Sequence, residues 1–85
     1  MPKPTVVGIF DSADDAEKVK DELLQAGVAA HRIVVGKIPD PELLEEEERG
    51  GTCMVAVVAR SHVDKEQIAS LMRRNGARGT REARA

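Results

Sequence analysis

The side chains in this 85-residue sequence most capable of chemistry are few: one thiol at Cys53, two imidazoles at His31 and His62, and the carboxylate run Glu45–Glu48. His31, His62 and Asp64 would offer two nitrogens and one oxygen, a poor open metal site without groups to orient the rings. They read as polar residues at loop ends. Cys53 would be a nucleophile or redox centre only with exposure and neighbouring positive charge. Its neighbours are apolar, so it reads as a small buried hydrophobe. Consecutive glutamates point in several directions on a helix and lack the glycine-punctuated spacing of a calcium loop, so Glu45–Glu48 read as a solvated face. The stretch GIFDSADDAEKV, Gly8 to Val19, runs from an apolar strand pattern into a helix start, where free backbone N–H groups favour anions. Asp11, Asp14 and Asp15 surround those groups, and neither G-x-G-x-x-G nor G-K-[ST] is present. The stretch therefore reads as a capped corner. Ser12 and Ser61 are occupied as caps, so no Ser–His–Asp arrangement suggests itself. The expectation is a chain with no catalytic residue, no metal ligand and no cofactor.

An internal repeat defines the elements that must carry these residues. Displaced by 49 positions, Ser12 falls on Ser61, Asp15 on Asp64, Val19 on Ile68, Leu23 on Met72 and Gly27 on Gly76. The apolar stretch Val6 to Phe10 falls on Val55 to Ala59. Ser12 with Asp15, and Ser61 with Asp64, fit a capping box that starts a helix. Ala16, Val19, Leu23 and Ala26 recur at helical spacing in the first half, and Ile68, Leu71 and Met72 in the second. Gly27 and Gly76 can adopt the left-handed conformation that ends each helix.

Strands are expected at Thr5 to Phe10, His31 to Gly36, Thr52 to Arg60 and Ala77 to Arg84. Two strand-helix-strand halves, 5–36 and 52–85, make one domain over residues 1–85 with an acidic insertion at 37–51. Its class is α+β: a ferredoxin-like βαββαβ sandwich, antiparallel sheet order 4-1-3-2, both helices on one face. VVGIF and CMVAVVA suit central strands, and GTREAR suits an edge. Within the insertion, Asp40 can cap a helix of about two turns, with Pro41 at its first position and Gly50 at its end. Mutual repulsion among Glu45 to Glu48 makes that helix marginal.

The net charge of -2 is unevenly spread. Residues 1–59 carry six Lys/Arg against twelve Asp/Glu, and residues 60–85 carry seven against three. A basic tail suggests nucleic acid, but Phe10 is the sole aromatic, so the stacking surface of single-strand binders is missing. Specific nucleic-acid binding is not expected. The topology should instead place Arg73, Arg74 and Arg78 near Asp14, Asp15 and the glutamates. There is no apolar run long enough to cross a bilayer, no export signal and no second cysteine, so a cytoplasmic protein is expected.

VVGIFDSADDAEKVKDELLQAGV, HRIVVG, GGTCMVAVVA and ASLMRRNGARGTREARA together resemble the bacterial general stress protein YflT-like domain over nearly the whole chain. The resemblance rests on a strand ending Gly-x-Phe-Asp-Ser, a Gly-Gly-Thr before the third strand, and Arg-Arg-x-Gly-Ala at the close of the last helix. It implies a stress-associated, non-enzymatic interaction module with no established cofactor. The first half alone also resembles the peptidoglycan-binding SPOR repeat. An alternative class, from fold analogy, is a small-molecule or metal-sensing domain that binds ligand between subunits.

The central strands point to self-association. A sheet covered by helices on one face should alternate apolar and polar residues. In the third strand Cys53, Val55, Val57 and Ala59 make one face and Met54, Ala56 and Val58 the other, all apolar. The expectation is a homodimer or larger homo-oligomer packed around Phe10, Met54, Ala56 and Val58, with Leu43 and Leu44 at the border. If the insertion folds over its own sheet, the chain is instead monomeric.

Overall fold

The computed structural model describes residues 3–38 and 40–83. The chain forms strand β1 (Thr5–Phe10), helix α1 (Ala13–Gln25), strand β2 (Ile33–Lys37), strand β3 (Cys53–Val58), helix α2 (His62–Arg74) and strand β4 (Gly79–Ala83). It is an α+β fold with one four-stranded antiparallel sheet in the order β2-β3-β1-β4. Read from the other edge, each strand has the neighbours that the repeat and the strand composition indicate.

Both helices begin and end by the same devices. The Ser12 hydroxyl accepts the Asp15 N–H at 3.2 Å, and the Ser61 hydroxyl accepts the Asp64 N–H at 3.1 Å. Gly27 and Gly76 carry φ of 98° and 88°. At the first, Val28 N–H reaches Leu23 O and Gly27 N–H reaches Leu24 O; at the second, Ala77 N–H reaches Met72 O and Gly76 N–H reaches Arg73 O. These doubled bonds satisfy carbonyls that the helix leaves free.

Alternation along the strands sends Val6 and Phe10 of β1, and Cys53, Val55 and Val57 of β3, to the helix side, where Ala16, Val19, Leu23, Ile68 and Met72 close the core. Ala26, expected on the apolar stripe, is exposed because it is the C-cap of α1 rather than part of its buried face.

Three expected boundaries move by two residues, each because a local polar contact wins. His31 and Arg32 lie in a 3₁₀ turn, and β2 starts at Ile33. Strand β3 ends at Val58; beyond it the Arg60 N–H donates to Asp64 at 2.8 Å. Ala77 supplies its N–H to the end of α2, so β4 starts at Gly79. The expected end of this strand at Arg84 lies outside the described residues. The insertion contains two 3₁₀ turns, Pro41–Leu43 and Glu46–Glu48, in place of the expected helix. Asp40 caps the first, accepting the Glu42 N–H at 3.1 Å. Continuing as one helix would align four glutamates at the negative end of its dipole.

Candidate interaction surface

The second face of the sheet is half covered. In the antiparallel register Ile9 lies opposite Met54, Val7 opposite Ala56 and Thr5 opposite Val58, and opposed residues share a face. On β2, Val34 lies opposite Ala56 and so joins them. The insertion folds back over the end of this face nearest the start of β3. Ile9 is buried there, as is Leu44. At the other end Val34 and Val58 remain 58% and 37% exposed, Thr5, Val7 and Ala56 are half-buried, and Leu43 stands out from the insertion at 70% exposure.

This placement corrects the residue set drawn from the sequence. Phe10 does not belong to this face: it lies opposite Cys53, is fully buried, and packs in the core beneath the helices. Alternation identified the two faces of each strand, but pairing Phe10 with Met54 is one residue out of register, and a slip of one exchanges faces. Ile9 takes its place. Leu44 is buried within its own chain rather than waiting at a border. Leu43, Met54, Ala56 and Val58 keep at least partial access to this side.

A buried carboxylate holds the insertion down. Glu48, one of the run read as solvated, is 3% exposed. Its Oε1 accepts the Glu45 N–H at 2.9 Å and lies 3.1 Å from Arg81 Nη2 on β4. Arg78 adds a second fastening, donating from Nε to Asp11 Oδ1 and from Nη1 to the Arg49 carbonyl at 2.8 Å. Thr52 supplies a third, its N–H to Phe10 O at 2.9 Å and its hydroxyl to Asp11 O at 2.8 Å. The spacing Glu45-x-x-Glu48 is a capping-box spacing and is the signal by which the sequence could have revealed it. Arg73 reaches Thr80 rather than an acid, and Arg74 lines a surface groove with Glu22 and Gln25.

At the opposite end β2 does begin beside the end of β3, yet an ion pair forms there in place of a histidine pair. Arg32 donates from Nε to Val58 O at 2.8 Å and from Nη2 to Asp64 Oδ2 at 2.6 Å. Burial pushes the Asp64 carboxyl up, but the Arg60 N–H and the Arg32 guanidinium outweigh that and hold its pKa below the ordinary aspartate value. His31 and His62 are exposed. Among the described residues no group of three or more His, Cys, Asp or Glu side chains could hold a metal ion. Cys53 is a free thiol inside the core.

Between the insertion and the sheet runs a groove of about 480 Å³, lined among others by Val7, Ile38, Leu43, Leu44, Met54 and Ala83. None of the described helices is long and apolar enough to cross a membrane. Compared with known proteins, the chain matches no family model, no curated protein and no solved structure.

Proposed function

We propose that this chain is a non-enzymatic, stress-associated interaction module of ferredoxin-like fold that works as a homodimer through the second face of its sheet. The observation that carries this reading is the bare half of that face, where Val34 and Val58 stand exposed beside half-buried Ala56, together with Leu43 exposed on the insertion at the other end. Isolated exposed apolar residues are ordinary, whereas a contiguous group on a sheet face marks a contact surface. The stress association rests on the resemblance of the capping and turn motifs to the YflT-like domain. A reducing, cytoplasmic setting fits a fold that carries its lone cysteine free and buried. The arginines of α2, of β4 and of the turn between them that find partners do so inside the molecule, which supports a protein rather than a nucleic-acid partner.

Sedimentation equilibrium tests the proposal. A mass of two or more protomers at micromolar concentration is expected, falling to one in Val58→Glu with the circular dichroism unchanged. A monomer mass in the unaltered chain overturns it. The groove beneath the insertion favours a second reading, a small apolar ligand held there, with Arg81 and Asp40 also among its lining residues. A large, reproducible thermal shift with one compound of a metabolite and divalent-metal screen would support that reading over the first.

A further inference from the structure

The geometry points to the way two copies would meet: face to face with their strands antiparallel, the insertion of each seated on the bare half of the other's sheet. This inference rests on the self-association reading and adds its orientation. Shape gives the first argument. The insertion raises one end of the face and leaves the other end as uncovered strand. With like ends together, the two insertions would collide, Leu43 against Leu43, and the bare halves would face one another across a gap. With opposite ends together, each Leu43 reaches Val34, Ala56 and Val58 of the second copy, and both hollows are filled.

Charge gives the second argument. Residues 37–51 carry six acids and two bases, a net -4. Of those acids Asp40, Glu42, Glu45, Glu46 and Glu47 are exposed, while Glu48 is taken by Arg81. At the other end Asp64 is held by Arg32 at 2.6 Å and also pairs with Arg60 at 3.8 Å; Lys3 is exposed, and the Arg60 side chain keeps 70% of its surface in solvent. Lys3 lies two residues before Thr5 and Arg60 two after Val58, so both stand at the bare end of the sheet. Antiparallel pairing sets each acidic insertion against these cations; like-end pairing sets -4 against -4.

Size gives the third. Four strands of five or six residues, about 4.8 Å apart and rising about 3.3 Å per residue, make a face of only ~20 × 20 Å, well under the ~800 Å² per partner of a standard interface. The sheet face alone falls short, so the insertion must take part.

Cross-linking decides the orientation. In a Cys53→Ala background, Lys3→Cys and Glu47→Cys chains are treated with a short bismaleimide, separately and as an equal mixture. Efficient dimer formation is expected in the mixture, at least about five-fold above either variant alone, because opposite ends meet. Efficient cross-linking of either variant by itself means that like ends meet, and overturns the orientation while leaving self-association standing. A dimer mass by sedimentation with no cross-link in any sample places the contact elsewhere and also overturns it. A monomer mass removes the underlying reading.

Discussion

The Arg32 guanidinium and the Asp64 carboxylate, 32 positions apart in the chain, meet at 2.6 Å and tie the start of β2 to the start of α2. Both side chains are largely buried, and the same carboxylate oxygen also accepts the Arg60 N–H. The pair therefore fastens an edge strand as well as a helix end.

The pair sets an expected acid response. The folded Asp64 ionises below its unfolded value of about 3.9, so its contribution is complete above that pH and is lost as pH falls through the folded value. Asp64→Ala should cost about 1–3 kcal/mol at pH 7, and the gap to the parent should close below about pH 4. Urea melts at a series of pH values measure both. A gap that persists unchanged at low pH assigns the loss to packing instead.

Glu48 should govern how firmly the insertion is held. Glu48→Ala removes the acceptor for the Glu45 N–H and the partner of Arg81, and amide exchange across residues 40–51 should speed up by about ten-fold or more. Glu48→Gln keeps the acceptor and should fall between the two. Equal exchange in all three chains would mean that Leu44 and the Arg78 contacts alone hold the segment.

Gly51 packs against the sheet where no side chain fits. A Cβ there would lie 2.3 Å from Ile9 Cγ2 and 3.1 Å from the Glu48 carbonyl oxygen. Gly51→Ala is expected to destabilise by about 2 kcal/mol or more, whereas Gly36→Ala, with open space around its Cβ, should stay within about 0.5 kcal/mol. Thermal melts of the two variants give the comparison.

The two helix ends should respond alike. Gly27→Ala and Gly76→Ala both force a Cβ into left-handed backbone, with open space around each, so each should cost about 1 kcal/mol. A large inequality in their denaturant midpoints would show that one end is held by more than its cap.

Phe10 and Val58 should separate folding from assembly. Phe10→Ala empties a fully buried position and should cost about 3–5 kcal/mol, while Val58→Glu, at a site 37% exposed, should leave the melt nearly unchanged and act on sedimentation alone. Loss of fold in Val58→Glu would place that face inside the protomer's own stability.

What the sequence made legible follows the range of the forces involved. The helices, their serine caps and their glycine ends are set by residues within a few positions, and the repeat stated each of them twice. Strand neighbours followed from which strands are apolar on both faces. Register did not: whether Phe10 or Ile9 stands with Met54 depends on a one-residue choice made between strands whose paired residues are 43 or more positions apart. The insertion's fold is hidden because Glu48 looks like its solvated neighbours until Arg81, 33 positions on, supplies a buried partner. Arg32 carries no local signal for the same reason, its partners lying 26 and 32 positions away.

The pairing of β1 with β4 has a mechanical consequence. Thr5 lies opposite Ala83 and Ile9 opposite Gly79, so the outer ends of the first and last strands leave the sheet side by side. A load applied between Thr5 and Ala83 acts across the strands, along the hydrogen bonds, and parts the rungs one after another like a zipper. A load between Thr5 and Gly79 slides the same two strands lengthwise and strains every rung together. Pulled between Thr5 and Ala83, the domain yields at low tension; gripped diagonally, the same bonds resist as a block.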